Sequence, residues 1–179
     1  MLVSFFRLLK PRIFGLRTGK AMQVGAGVEW PLGNVRNLQV GDNVSLGKRG
    51  WFYLPLSNRK ATIKIGSGTS IGNDFVITAN SSIRIGSECL LSYRVTVMDH
   101  SHATGPGIGP VTSGLTEGKP VSIGDRCFLG CNVVIMPGVQ LGENCVVGAN
   151  SVVTKSFEPG SVIAGSPARL LRSLSAGKS

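Results

Sequence analysis

A six-residue repeat dictates what this chain folds into. Ile65, Ile71 and Ile77 are followed by Ile85, Leu91 and Val97, and later by Ile123, Leu129, Ile135, Leu141, Val147 and Val153, every sixth residue within each run. Gly follows at 66, 72, 86, 124, 130, 142 and 148, and a second slot four positions after the aliphatic residue holds Thr69, Phe75, Cys89, Val95, Cys127, Val133, Val139 and Cys145. A hexad cannot bury its own apolar residue; stacking many of them makes a continuous core, which is the logic of a parallel β-helix. Three hexads suit a triangular coil with one short strand per side. Residues 65–82, 85–102, 123–140 and 141–158 then read as coils, with an earlier one around Val40 and Leu46. The step from Ile77 to Ile85 is eight, so two residues are inserted, roughly at Ser81–Arg84. The repeated Gly is expected to turn a corner in a backbone state closed to other residues, and Asn or Asp at 43, 73, 74, 125, 132 and 144 fit the same turns.

The pattern resembles the hexapeptide-repeat acyltransferases and is closest to the polysaccharide and sugar O-acetyltransferases. The resemblance covers about residues 38–172. It implies an all-β, left-handed parallel β-helix with one long excursion loop and a short C-terminal helical tail. The expected division is an N-terminal cap or extension over 1–37, the β-helix over 38–164 with its excursion at 99–120, and a tail over 165–179.

Composition narrows the field. The chain has 179 residues, enough for one domain. Its net charge of +10 invites a nucleic-acid reading, but no helix-turn-helix, zinc-finger or RNA-binding aromatic motif accompanies it. Much of the charge lies at the ends, in Arg7, Lys10, Arg12, Arg17 and Lys20 and in Arg169, Arg172 and Lys178, as suits an enzyme that handles polyphosphate or works near anionic lipid. Cys89, Cys127 and Cys145 fill inward slots as small apolar residues, Cys131 points outward, and no pair has zinc-ligand spacing. An outward thiol favours a reducing compartment, so a cytoplasmic location is expected, with peripheral contact at the inner membrane face as an extension. The apolar, basic start Met1–Lys10 lacks the order of a signal peptide and is too short to span a bilayer. It is expected to cap the β-helix or pack on a neighbouring subunit, with peripheral membrane contact as the alternative.

The hexads stop between Val97 and Val121, in a Gly- and Pro-rich stretch that must loop out and return in register. It opens with the only two histidines, His100 and His102. Long loops on a rigid scaffold carry function. In sugar O-acetyltransferases of this fold, a loop histidine takes the acceptor proton; in Val95-Thr-Val-Met-Asp-His-Ser-His102 the family spacing falls on His102, with His100 second. Asp99 or Glu117 is the expected orienting acceptor, with a backbone carbonyl serving equally well.

The same resemblance assigns coenzyme A contacts to Ala149, Thr154, Lys155, Arg169 and Arg172, and to Cys131 in place of a family serine. Asn80 stands where many relatives carry an acceptor-binding aspartate, and Glu117 is a second candidate on the acceptor side. The implied reaction is direct transfer of acetyl from acetyl-CoA to a carbohydrate hydroxyl of a capsule, O-antigen or exopolysaccharide, in a homotrimer, with no metal. N-acetylation of an amino sugar and a non-enzymatic scaffold are the alternatives. A γ-type carbonic anhydrase needs three histidines and the chain has two.

Overall fold

The fold comes from a computed structural model, which describes residues 15–31 and 33–174. Parallel ladders build three faces of a left-handed β-helix. The first face stacks Arg17–Thr18, Leu38–Val40, Thr62–Ile65, Ser82–Ile85, Val121–Ile123 and Gln140–Leu141. The second stacks Gln23–Val24, Ser45–Leu46, Ser70–Ile71, Leu90–Leu91, Phe128–Leu129, Val146–Val147 and Ser161–Gly165, and ends on Ala168–Ser173. The third stacks Trp51–Tyr53, Val76–Thr78, Thr96–Met98, Val134–Ile135 and Val152–Val153. Every hexad aliphatic from Ile65 to Val153 is buried, as is every second-slot residue.

The second-slot column at the corner between the first and second faces has a reason beyond size. Thr69 donates its hydroxyl to the Gly86 carbonyl. Cys89, Cys127 and Cys145 each point a thiol at a carbonyl of the next coil, on Gly124, Gly142 and Glu158. A small side chain with a donor satisfies a carbonyl that a valine would leave facing hydrocarbon.

The repeated glycines do not act as expected. The left-handed backbone falls two residues later, at Asn43, Asp74, Asn132 and Asn144, and at Glu88, Arg94 and Arg126. The glycine after the aliphatic residue is needed because coils touch there: a Cβ on Gly72 would lie 2.8 Å from the Ser92 carbonyl, and one on Gly142 would lie 2.4 Å from the Pro159 nitrogen. Asn73 and Asp125 act instead through their side chains, accepting the Lys48 and Ser87 amides of adjacent coils.

Three boundaries also move. The β-helix begins inside the segment assigned to a cap, since Arg17–Thr18 pairs with Gln39–Val40 and Gln23–Val24 with Ser45–Leu46. The hexad is present there as Thr18, Val24 and Trp30, but Thr and Trp disguise it. Trp30 stacks on Phe52, which meets Phe75 edge-on. The described part of the tail is not helical. Ser161–Gly165 continues the second face in parallel, and Ala168–Ser173 folds back on it antiparallel, which closes the last coil. The two inserted residues precede Ser82–Ile85, whose Ile83 and Ile85 pair in register with Val121 and Ile123; they enlarge the turn at Ala79–Ser81. Residues 1–14 and 175–179, with the proposed membrane or capping segment and Lys178, lie outside the described residues. Among the described residues no helix is long and apolar enough to cross a membrane.

Candidate active site

The enlarged turn carries the site. Asp99, fully buried, leaves the third face at the corner where the excursion begins. One carboxylate oxygen accepts the Asn80 amide at 2.7 Å and the other accepts the Ser81 amide at 2.7 Å. The extra turn residues thus supply two backbone donors to a buried carboxylate. The oxygen bound to Asn80 lies 2.8 Å from His100 Nδ1. Both oxygens of that carboxylate already accept backbone amides, so Asp99 meets the ring as an acceptor, Nδ1 carries the proton and Nε2 is left with its lone pair. His100 is only 8 % exposed, and its ring lies 6.4 Å from that of Tyr53.

The excursion is a closed ribbon. Lys119 donates its amide to the Asp99 carbonyl, Thr116 to that of Ser101, and Ala103 to that of Gly114. Asn80 pins the returning strand by donating its side-chain amide to the Thr116 carbonyl at 3.0 Å. The side chain singled out as an acceptor contact is therefore committed to the loop.

The two histidines part company. His102 sits exposed on the ribbon, paired through its backbone with Leu115. The orienting carboxylate is Asp99, and Glu117 is exposed on the return limb.

The expected coenzyme A residues fall on two corners flanking the third face. At the corner after the second face, Gly130 lies against the Ala149 backbone, which places Cys131 and Ala149 on consecutive coils. Ala164 stacks on Gly148 and pairs with Arg169, bringing that arginine to the same corner. Ser92 Oγ lies 3.0 Å from Cys131 Sγ, and this contact holds the Cys131 thiol below the ordinary thiol range. At the other corner Thr154 and Lys155 lie two coils beyond His100, and Lys155 Nζ rests 5.5 Å over the Phe157 ring. Arg172 pairs with Val162, farther along the second face, and is not brought to either corner. Lys155, Arg169 and Arg172 are exposed and carry no ion pair among the described residues, which fits a polyphosphate donor. No group of three His, Cys, Asp or Glu among the described residues is placed to hold a metal.

Sequence reasoning missed the Asn80–Ser81 amide cradle. The eight-residue step was the available signal for the cradle.

Comparison with known proteins identifies the family of the fold. A family model described as the hexapeptide repeat of succinyl-transferase matches residues 120–155. Nodulation protein L of Rhizobium meliloti is 35 % identical over 130 residues, 63 % of this chain and 71 % of its own length. A putative lipopolysaccharide biosynthesis O-acetyl transferase of Escherichia coli K12 is 39 % identical over 109 residues, 56 % of this chain and 55 % of its own. The solved structure of a hexapeptide-repeat acetyltransferase from Vibrio cholerae, complexed with acetyl-CoA, superposes with a TM-score of 0.66 at 30 % identity, covering 75 % of this chain and 70 % of that one. The chain spans about half the length of several curated relatives it matches, 47 % of one and 56 % of another.

Proposed function

Because the chain belongs to the hexapeptide-repeat acetyltransferases, we propose that it transfers acetyl from acetyl-CoA to a carbohydrate hydroxyl, with His100 as general base. The observation that carries this reading is the buried Asp99–His100 pair at the mouth of the excursion. Asp99 fixes the tautomer, and His100 Nε2 takes the proton of the acceptor hydroxyl. The oxygen attacks the thioester carbonyl, the C–S bond breaks, and the imidazolium returns its proton to the departing thiolate.

Acetyl-CoA is the acyl-donor substrate; Thr154 and Lys155 hold it, with Arg169, Cys131 and Ala149 along the neighbouring corner. One strand's length, roughly 10 Å for three residues, separates the two corners, so a donor on one has to reach round the third face or across to another copy. The outward residues of that face, Trp51, Val76, Thr96, Val134 and Val152, are uncharged, as a surface meeting a neighbouring copy in a homotrimer should be. The carbohydrate acceptor rests on the O-acetyl transferase relative.

The test is release of coenzyme A, followed by chromatography, over a panel of neutral, acidic and amino sugars. Acceptor-dependent release that survives His102→Ala and is lost in His100→Ala supports the reading. Release that survives His100→Ala and is lost in His102→Ala refutes the assignment of the base. Light scattering at three times the 18.8 kDa of one chain supports the trimer.

A further inference from the structure

Elsewhere this β-helix sets opposite charges on adjacent coils. Arg49 pairs with Asp74, and Arg126 with Glu143. The outward file of the first face does the reverse. Arg17 aligns with Gln39, Gln39 with Lys64 and Lys64 with Arg84, so Lys64 and Arg84 stand directly opposite each other as like charges. Such pairs are destabilising in a sheet. All three cations are exposed, and none has an ion-pair partner among the described residues. All nine acidic residues of the chain lie within the described part, so residues 1–14 and 175–179 bring no acidic side chain to neutralise them.

The file lines a groove of about 900 Å³ with Leu16, Gln39 and, at its rim, Asp125. The rim carboxylates are occupied: Asp125 accepts the Ser87 amide, and Asp42 on the same corner accepts the Lys20 amide. With coils roughly 4.8 Å apart, the cations run for about 14 Å along the helix axis. A concave, linear, unneutralised file fits an extended chain of spaced anions better than a flat lipid surface. Among the described residues no aromatic side chain lines the groove, so they offer nucleic-acid bases no stacking platform. Gln39, between the cations, offers a neutral hydrogen-bonding site for hydroxyls.

We infer that the first face binds an acidic oligosaccharide lengthwise, its carboxylates meeting Arg17, Lys64 and Arg84. The choice of a glycan rests on the carbohydrate reading above; the preference for anions does not. The strand Ser82–Ile85 starts directly after Ser81, whose amide holds Asp99. An acidic polymer held on this face therefore passes within a strand's length of His100, so the groove would favour acidic acceptor polymers over neutral ones.

The probe is a fluorescently labelled hexagalacturonate, titrated by anisotropy into the full chain and into Lys64→Gln/Arg84→Gln. Both positions are exposed, and the file already accommodates the neutral Gln39 and Ser122, so the double variant should fold; circular dichroism and a melt check this. The expected result is saturable binding that weakens with salt and falls roughly tenfold in the double variant. Neutral maltohexaose should not compete, and coenzyme A binding should stay unchanged. Equal affinity in the double variant, or competition by maltohexaose, overturns the inference. So does capture by phosphatidylglycerol vesicles that needs Lys64 and Arg84 while hexagalacturonate fails to bind. Failure of coenzyme A to bind the unaltered chain would overturn the acetyltransferase reading and leave this groove result standing.

Discussion

Replacing Asp99 by asparagine tests the whole site, because the buried carboxylate has three donors around it and an amide has only one acceptor oxygen. If the amide oxygen keeps Asn80 and His100, its NH₂ faces the Ser81 amide, donor against donor. If it turns over, Ser81 is satisfied, but the NH₂ faces the Asn80 amide and His100 Nδ1. Nδ1 must then accept, the proton moves to Nε2, and the base is disabled. Either orientation leaves one buried donor unsatisfied, at a cost of about 1–3 kcal/mol, so the melting point should drop by roughly 2–10 °C. If the amide turns over, transfer should fall about 10³–10⁴-fold, the scale seen when an orienting carboxylate is lost from a catalytic triad. Nitrogen-15 NMR reads the tautomer without an acceptor sugar. The chain has two histidines, so His102→Gln assigns the two imidazoles at once. The unaltered protein should show His100 protonated at Nδ1, and Asp99→Asn should show it protonated at Nε2. An unchanged tautomer with transfer within about threefold of normal would refute the claim that Asp99 orients the base.

Four further outcomes follow from the geometry. Gly142→Ala sets a Cβ 2.4 Å from the Pro159 nitrogen, so it should cost about 1–3 kcal/mol in a urea melt; a neutral result would mean the coils separate more easily than their stacking implies. Lys155→Ala and Arg169→Ala should each raise the KM for acetyl-CoA about tenfold while leaving kcat within a factor of three, since they bind donor and not the reacting atoms. The Ser92 contact lowers the Cys131 pKa, so more thiolate is present near neutral pH than for a free cysteine. Ser92→Ala should therefore slow iodoacetamide labelling of Cys131 at pH 7.5, and saturating coenzyme A should protect the residue; faster labelling would contradict the assigned cause. Thr69→Val removes both the donor to the Gly86 carbonyl and the acceptor for the Cys89 amide, so it should lower stability by about 1–3 kcal/mol despite equal side-chain volume.

The fold was legible because the repeat is a steric requirement repeated at every coil. One inward aliphatic and one close coil contact recur, and both restrict residue type. What the repeat hid lay where other residue types meet the same demand. Thr18 and Trp30 hold hexad positions that read as polar or bulky, so the first coil passed for a cap. The last segment has bases and leucines that also suit a helix, and only the free edge beyond Val146–Val147 decides that it forms strands. The glycine role was misassigned because a tight approach and a left-handed turn both call for glycine. The positive φ two residues later, on Asn, Asp, Glu and Arg alike, separates the two causes.

The histidines show the same limit at the level of the site. A spacing rule places a residue along the chain, and it favoured His102. Catalytic competence needs a nitrogen fixed by a partner, and that partner is set by what the neighbouring coil offers. The two residues added between Ile77 and Ile85 turn the Asn80 and Ser81 amides toward a single point, Asp99 fills it, and the next residue in sequence shares the oxygen that accepts from Asn80. His102 lies two positions farther out, where the ribbon has left the coils and no carboxylate is at hand. The eight-residue step and the break in the hexads are therefore one device on successive coils: the first makes the anion cradle and the second brings the base to it. Deleting Asn80 and Ser81 together should restore an unbroken hexad from Ile77 to Ile85 and leave a folded β-helix without transfer activity. Full activity in that deletion would mean the base is held by something other than this turn.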